Sequence, residues 1–133
     1  MTRHVGPSEA DAVSAWLGIE VVSPTEARLT IRPDLVNAIG MLLGPVVLAL
    51  VDYGMGAAAW DALGPDEECA TSDLSIGFLA SAAEGEVVCR STVDRRSRRL
   101  VRARCEVVAA ADGRLLATAM GTFSVLARRD DAG

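Results

Sequence analysis

Residues 44–63 read GPVVLALVDYGMGAAAWDAL, and this stretch decides what the remainder of the chain must do. Gly44-Pro45 supplies a helix start, because the N–H that proline lacks has no intrahelical partner in a first turn anyway. Gly64-Pro65 supplies the stop. Between them nearly every residue is apolar or small, so the helix has no polar stripe and requires burial on most of its sides. Asp52 is the exception. A carboxylate two turns inside an apolar helix is costly unless it is paired, hydrogen-bonded or neutralised. Leu48, Ala49, Gly56 and Ala59 share its face at helical spacing and leave room beside it for a backbone, a water or a ligand. Asp52 is therefore either a catalytic carboxylate or a buried Asp serving a neighbouring loop or hydroxyl, and the helix by itself does not choose.

The 133 residues suffice for one domain with a true core, and half of them are apolar, which excludes a disordered chain. No apolar run reaches the roughly 20 residues of a membrane span. The N-terminal MTRHVGPSEADAV lacks the apolar centre of a signal peptide, so a soluble, cytoplasmic protein is expected. A net charge of −5 argues against bulk nucleic-acid binding. Cys69, Cys89 and Cys105 form neither a CxxC nor a zinc pattern, and they read as free thiols, Cys89 and Cys105 buried in strands.

In chain order, residues 1–7 read as a loose tail, and Ser8 as the N-cap of a short helix ending near Trp16. Residues 18–22 and 27–32 make a first hairpin around Ser23-Pro24-Thr25-Glu26. Residues 34–43 are a connecting loop into the long helix. After the charged turn 64–68 the chain reads as strand almost to its end: 70–80, 87–94, 99–109 and 115–126, with turns at Glu84-Gly85-Glu86, Arg95–Arg98 and Asp112-Gly113. In the first of these, Ser72, Leu74, Ile76 and Phe78 fall on one face and Thr71, Asp73, Ser75 and Gly77 on the other. In the third, Val101, Ala103, Cys105 and Val107 alternate with Leu100, Arg102, Arg104 and Glu106. The last seven residues read as a solvated tail. An apolar helix covered by a curved antiparallel meander is the economical arrangement, giving an α+β fold.

Three segments carry a family resemblance: Asn37-Ala-Ile-Gly40-Met-Leu-Leu43-Gly44-Pro45 running into Leu50-Val51-Asp52; then residues 70–79, ATSDLSIGFL; then Asp112–Ala117 with Gly121-Thr122-Phe123. Over about residues 17–126 the chain resembles the hotdog-fold acyl-CoA thioesterases of the phenylacetate-pathway type. Their pattern is N-x-x-G-x-x-H-G-G followed by an acidic residue seven positions on, and Asp52 stands seven after Pro45. The resemblance implies a single hotdog domain spanning 1–133 and a site shared by the two subunits of a homodimer, or by a dimer of dimers. It implies that the Gly44 N–H, at the helix N-terminus, polarises the thioester carbonyl. By the same resemblance, Asp52 is expected to attack the thioester or activate a water, Asn37 to help orient these groups, and Thr71 to hold a water or the acid. Acyl-CoA is the implied substrate, with no further cofactor and no metal.

Where the family has His-Gly-Gly, this chain has Leu43-Gly44-Pro45, so the His is lost and Pro45 cannot donate an N–H. The expected alternative to hydrolysis is a non-catalytic acyl or CoA binding protein on the same fold. The sole histidine, His4, lies near the N-terminus, which sets aside hydratase chemistry and a Ser-His-Asp triad. Met41, Leu43, Trp60 and Phe78 are expected to set the depth of the substrate pocket together with the partner subunit. Seven of the thirteen cationic residues, all arginines, fall within residues 90–104. They read as a solvated turn or as a dock for CoA phosphates, with Arg96, Arg98 and Arg99 the favoured contacts.

Overall fold

The chain, in a computed structural model that describes residues 11–129, runs through two helices, a 3-10 turn and six strands. They are α1 (Ala12–Leu17), β1 (Glu20–Ser23), β2 (Glu26–Ile31), the 3-10 turn (Pro33–Leu35), α2 (Gly44–Asp61), β3 (Glu67–Phe78), β4 (Gly85–Arg96), β5 (Leu100–Ala109) and β6 (Leu115–Ala127). The helix α2 starts at the Gly-Pro pair and stops just before Gly64, as expected. Its Leu50, Val51, Met55 and Ala59 are wholly buried against Leu29, Val87, Cys89, Val101, Val107 and Phe123 from the strands. Burying each large aliphatic side chain is worth about 1.5–3 kcal/mol, so this seam is the main source of stability. All six strands form one antiparallel sheet in the order β1-β2-β4-β5-β6-β3, and α2 contacts every one of them.

That order corrects the expected meander. Of the four strands after α2, only β4, β5 and β6 pair in sequence; β3 crosses to the far edge and pairs with β6, while β4 pairs with β2. The crossing is fixed at residues 79–82, where the Leu79 and Ala80 N–H groups donate to the Leu116 carbonyl and the Leu42 N–H donates to the Ala82 carbonyl. The Asp112-Gly113 turn joins β5 and β6 as read from the sequence: Gly113 takes φ 73°, which glycine adopts without strain, and Asp112 accepts from the Arg114 N–H.

Two extra residues in the ladders move side chains between faces. Thr71 pairs with Phe123 and Asp73 with Thr122, so Ser72 is a bulge. The bulge overturns the simple alternation: Thr71 reaches α2, on the same side as Leu74 and Ile76. Asp94 is likewise extra between Val93 and Arg95. In β5 the expected alternation holds, with Val101, Ala103, Cys105 and Val107 buried and Arg102, Arg104 and Glu106 exposed.

The first helix is capped by Asp11, whose carboxylate accepts from the Val13 N–H at 2.8 Å; the expected cap, Ser8, lies outside the described residues. At the other end Ala127 still pairs with Glu67, and the Arg128 and Arg129 N–H groups donate to Asp66 and Glu68. Residues 127–129 are therefore tied to the start of β3. Cys69, Cys89 and Cys105 are free thiols, the last two buried.

Close packing of α2 on β4 makes Gly54 a sharp test of this fold. A Cβ there would sit 2.7 Å from the Cys89 Sγ and 3.5 Å from the Ser91 Oγ. Overpacking costs about 1–3 kcal/mol and outweighs the ~1 kcal/mol helix gain of Ala over Gly. Gly54→Ala should lower the thermal midpoint by a few degrees, and Gly54→Ala with Cys89→Ala should recover part of the loss; an unchanged or higher midpoint for the single variant contradicts the packing.

Candidate active site

Asp52 projects from the middle of α2 toward the bulged part of β3. Thr71 Oγ1 donates to Asp52 Oδ1 at 2.8 Å, leaving the second carboxylate oxygen for another donor. The two line a cleft of about 310 Å³ with Tyr53, Gly56, Trp60, Cys69 and Phe123. Asp11 closes one side, where it accepts a hydrogen bond from the Tyr53 hydroxyl. The sequence reading missed Asp11, Tyr53 and Cys69; Trp60, expected at the substrate pocket with Met41 and Phe78, lines this cleft and not theirs. Spacing points to Tyr53, since Tyr53, Gly56 and Trp60 follow at helical intervals beside Asp52.

Gly44 opens onto a different cleft. This one, about 250 Å³, is lined by Asn37, Met41, Leu42, Val47, Phe78 and Leu116 among others. The Phe78 ring packs over Gly44, with its Cζ 3.5 Å from where a Cβ would stand. Leu43 is the N-cap and has no side-chain hydrogen bond to offer the first turn; it is half-buried against the core and is not among the residues lining the cleft. Asn37 organises the loop before α2, its Oδ1 accepting from the Ile39 and Met41 N–H groups at 3.0 Å each. It joins Gly44, Met41 and Phe78 in one place, but it does not contact Asp52.

Thus one chain assembles the expected residues into two groups. Asp52 and Thr71 form one; Gly44, Asn37, Met41 and Phe78 form the other. Asp52 stands eight helical steps beyond Gly44, about 12 Å at 1.5 Å per residue. A single thioester carbonyl does not span that gap.

The arginines divide in the same way. Because the Asp94 bulge turns it toward α2, Arg96 donates to Glu67 and to the Ala62 carbonyl, clamping the β4–β5 hairpin to the end of the helix. The Arg96 guanidinium and then the Gly64 N–H hold the Glu67 carboxyl below the usual carboxylate range. Arg96, expected as a phosphate contact, is thus engaged by Glu67 and the Ala62 carbonyl in this structure. Arg98 and Arg99 are exposed at the hairpin tip. A third cleft, about 570 Å³, lies on the outer face of the sheet between Arg90, Arg104, Glu106 and Thr118, away from both groups. Among the described residues no cluster of three or more His, Cys, Asp or Glu is placed to hold a metal ion, and no helix is long and apolar enough to cross a membrane.

Cys69 reports on the electrostatics of the Asp52 cleft. Burial, and then the charge of Asp52, push its thiol up to about 11. The thiolate is the reactive form, so site-resolved alkylation of Cys69 should be slow at neutral pH and climb as the pH approaches 11. Asp52→Asn removes one of the two causes and should move the profile to lower pH. Alkylation of Cys69 at the rate of a free cysteine at neutral pH contradicts this environment.

Comparison with known proteins agrees with this architecture. The family model of the thioesterase superfamily matches residues 39–116, more than half of the chain and including Gly44, Asp52 and Thr71. A conserved protein of Pseudomonas aeruginosa superposes with a TM-score of 0.82 at 32% identity, covering 87% of this chain and 94% of that one. A phenylacetic acid degradation-related protein from Ralstonia eutropha superposes with a TM-score of 0.77 at 26% identity, covering 90% and 93%. A Bacillus halodurans protein crystallised with CoA shares the fold, with a TM-score of 0.82 at 24% identity over 88% of this chain and 77% of that one. A comparison with curated proteins gives no match. With a helix wrapped by six antiparallel strands and a matching family model over most of that core, the chain belongs to the thioesterase superfamily and has its hotdog fold.

Proposed function

We propose that the protein hydrolyses acyl-CoA thioesters to a free acid and CoA, with Asp52 of one copy and the Gly44 N–H of a second copy acting on the same carbonyl. The observation that carries this reading is the Thr71–Asp52 hydrogen bond at 2.8 Å inside a cleft. It holds one carboxylate oxygen and frees the other to take a proton from water or to attack carbon. In the general-base form, water adds to the thioester carbon while its proton passes to Asp52, and the carbonyl oxygen becomes an oxyanion facing the Gly44 N–H. Collapse breaks the C–S bond, and the thiolate recovers the proton as it leaves. No cofactor is required beyond water, CoA being part of the substrate.

Two features support a homodimer as the working unit. Leu48 on α2 is 38% exposed, and Pro45 one turn earlier is also open, so a stripe of this otherwise apolar helix, running on to Asp52, lacks a cover. In addition, β3 is an edge strand of 12 residues with one side unpaired in the chain. Pairing two copies about a two-fold axis covers both features and sets the N-terminus of one α2 near the middle of the other. Met41 and Phe78 then give the substrate an apolar approach to Gly44. Leu43, in place of the family histidine, contributes no polar group there, so the first turn of the helix offers the substrate its Gly44 backbone N–H.

Thiol release from a panel of aromatic, short-chain and long-chain acyl-CoAs tests the reading. Asp52→Asn should lower kcat for the preferred acyl group by about 100-fold or more, the size of a general-base contribution. Gly44→Pro removes the N–H while suiting a first helical turn, since Leu43 already holds the extended conformation (φ −63°, ψ 135°) that precedes a proline. It should lower kcat about 100–1,000-fold, as loss of an oxyanion donor does. Tight acyl-CoA binding without turnover by the native chain would instead support the non-catalytic alternative.

A further inference from the structure

The β4–β5 hairpin carries a charge arrangement that the proposed hydrolysis leaves unused. The Asp94 bulge sets Arg95 directly opposite Arg102 on the outer face of the sheet. Like charges in directly opposed positions destabilise a sheet. Arg98 and Arg99 extend the cluster around the tip, and all four side chains are exposed. Among the described residues none of the four makes an ion pair or a side-chain hydrogen bond, whereas their neighbours do: Arg104 bonds Asp94 at 2.9 Å, Arg90 lies 3.7 Å from Glu26, and Arg96 holds Glu67. In a chain with 18 acidic residues and a net charge of −5, four cations stand together with no paired counter-charge among the described residues.

The surface is held in place. Arg96 clamps the hairpin to the end of α2, the Ser97 N–H donates to the Leu100 carbonyl at 2.9 Å, and the Val125 N–H donates to the Arg99 carbonyl at 2.8 Å. Val125 is in register with Cys69, which lines the Asp52 cleft. Two strand spacings therefore separate the hairpin from the candidate active site, about 10 Å.

Shape selects among anionic partners. None of the four arginines lines any of the three clefts described above, and no aromatic residue occurs between Phe78 and Phe123 in the sequence to stack a base. A nucleotide favours a concave site with a stacking surface. An exposed, positively charged hairpin outside these clefts fits the acidic face of a folded partner. We propose that Arg95, Arg98, Arg99 and Arg102 dock an acidic carrier protein, which presents its thioester on a phosphopantetheine arm to Asp52. This proposal rests on the thioesterase reading for its chemistry, but the docking itself is measurable without turnover.

The test is fluorescence anisotropy with a labelled acidic acyl carrier protein bearing unacylated phosphopantetheine, alongside CoA as competitor. Native protein should bind the carrier more weakly as salt rises, and Arg98→Gln with Arg99→Gln should weaken binding tenfold or more, as should Arg95→Gln with Arg102→Gln. Circular dichroism should show both double variants folded, with no lower midpoint, since each removes unbalanced positive charge. Binding unaffected by the substitutions overturns the proposal, and so does equal weakening of carrier and CoA, which would make the hairpin a phosphate site. A separate assay with an acyl N-acetylcysteamine thioester, which has neither phosphate nor protein, tests the native chain's hydrolysis alone: carrier binding without that turnover means that the thioesterase reading has failed and the docking surface has not.

Discussion

The structure depends on burying a helix that is apolar on nearly every side. No single flat sheet covers such a helix, so six strands wrap it, and α2 touches all of them. Even so, Pro45 and Leu48 remain open on the side that leads to Asp52. In the proposed two-copy arrangement, the same demand for burial that folds one chain calls for a second copy and sets Asp52 where that copy would arrive. On that proposal, fold stability and catalytic assembly come from one constraint.

Within that frame, small departures from regular strand geometry aim the polar groups. Without the bulge at Ser72, Thr71 would fall on the face away from α2; with it, the hydroxyl reaches Asp52 at 2.8 Å. A second bulge at Asp94 turns Arg96 inward, where it ties the hairpin to Glu67 and Ala62, and leaves Arg95 facing Arg102. Each bulge changes which face of the sheet its neighbours occupy. Arg96 is paired within the fold, and Arg95, Arg98, Arg99 and Arg102, without an ion pair among the described residues, form an exposed charged edge.

Much of this was legible in the sequence. The Gly-Pro pair at 44–45 and the Gly-Pro pair at 64–65 bounded α2, alternation in 100–109 assigned the buried side of β5, and Asp112-Gly113 marked its turn. The resemblance led to the family that the matching model establishes. Strand order was not legible, because local patterns do not distinguish a hairpin from a crossing, and the link at residues 79–84 crosses. The Ser72 bulge was hidden for a related reason: one extra residue leaves no mark in composition, yet reverses the faces of everything before it. The proximity of Asp11 to Tyr53 and of Arg96 to Glu67 joins residues far apart in the chain, and spacing carries no information about such pairs. The separation of Gly44 from Asp52, by contrast, follows from helix rise alone and makes the two-copy site a geometric requirement of the proposed chemistry.

Subunit complementation tests that requirement most directly. Asp52→Asn and Gly44→Pro chains, each inactive alone, are refolded together and assayed for thiol release from an acyl-CoA that the native protein hydrolyses. If each site combines Asp52 from one copy with Gly44 from another, half of the randomly formed dimers are mixed and each mixed dimer holds one intact site, so the mixture should recover about a quarter of native activity. A mixture that forms mixed dimers and remains as inactive as either parent would show that no site is shared, and would contradict the account.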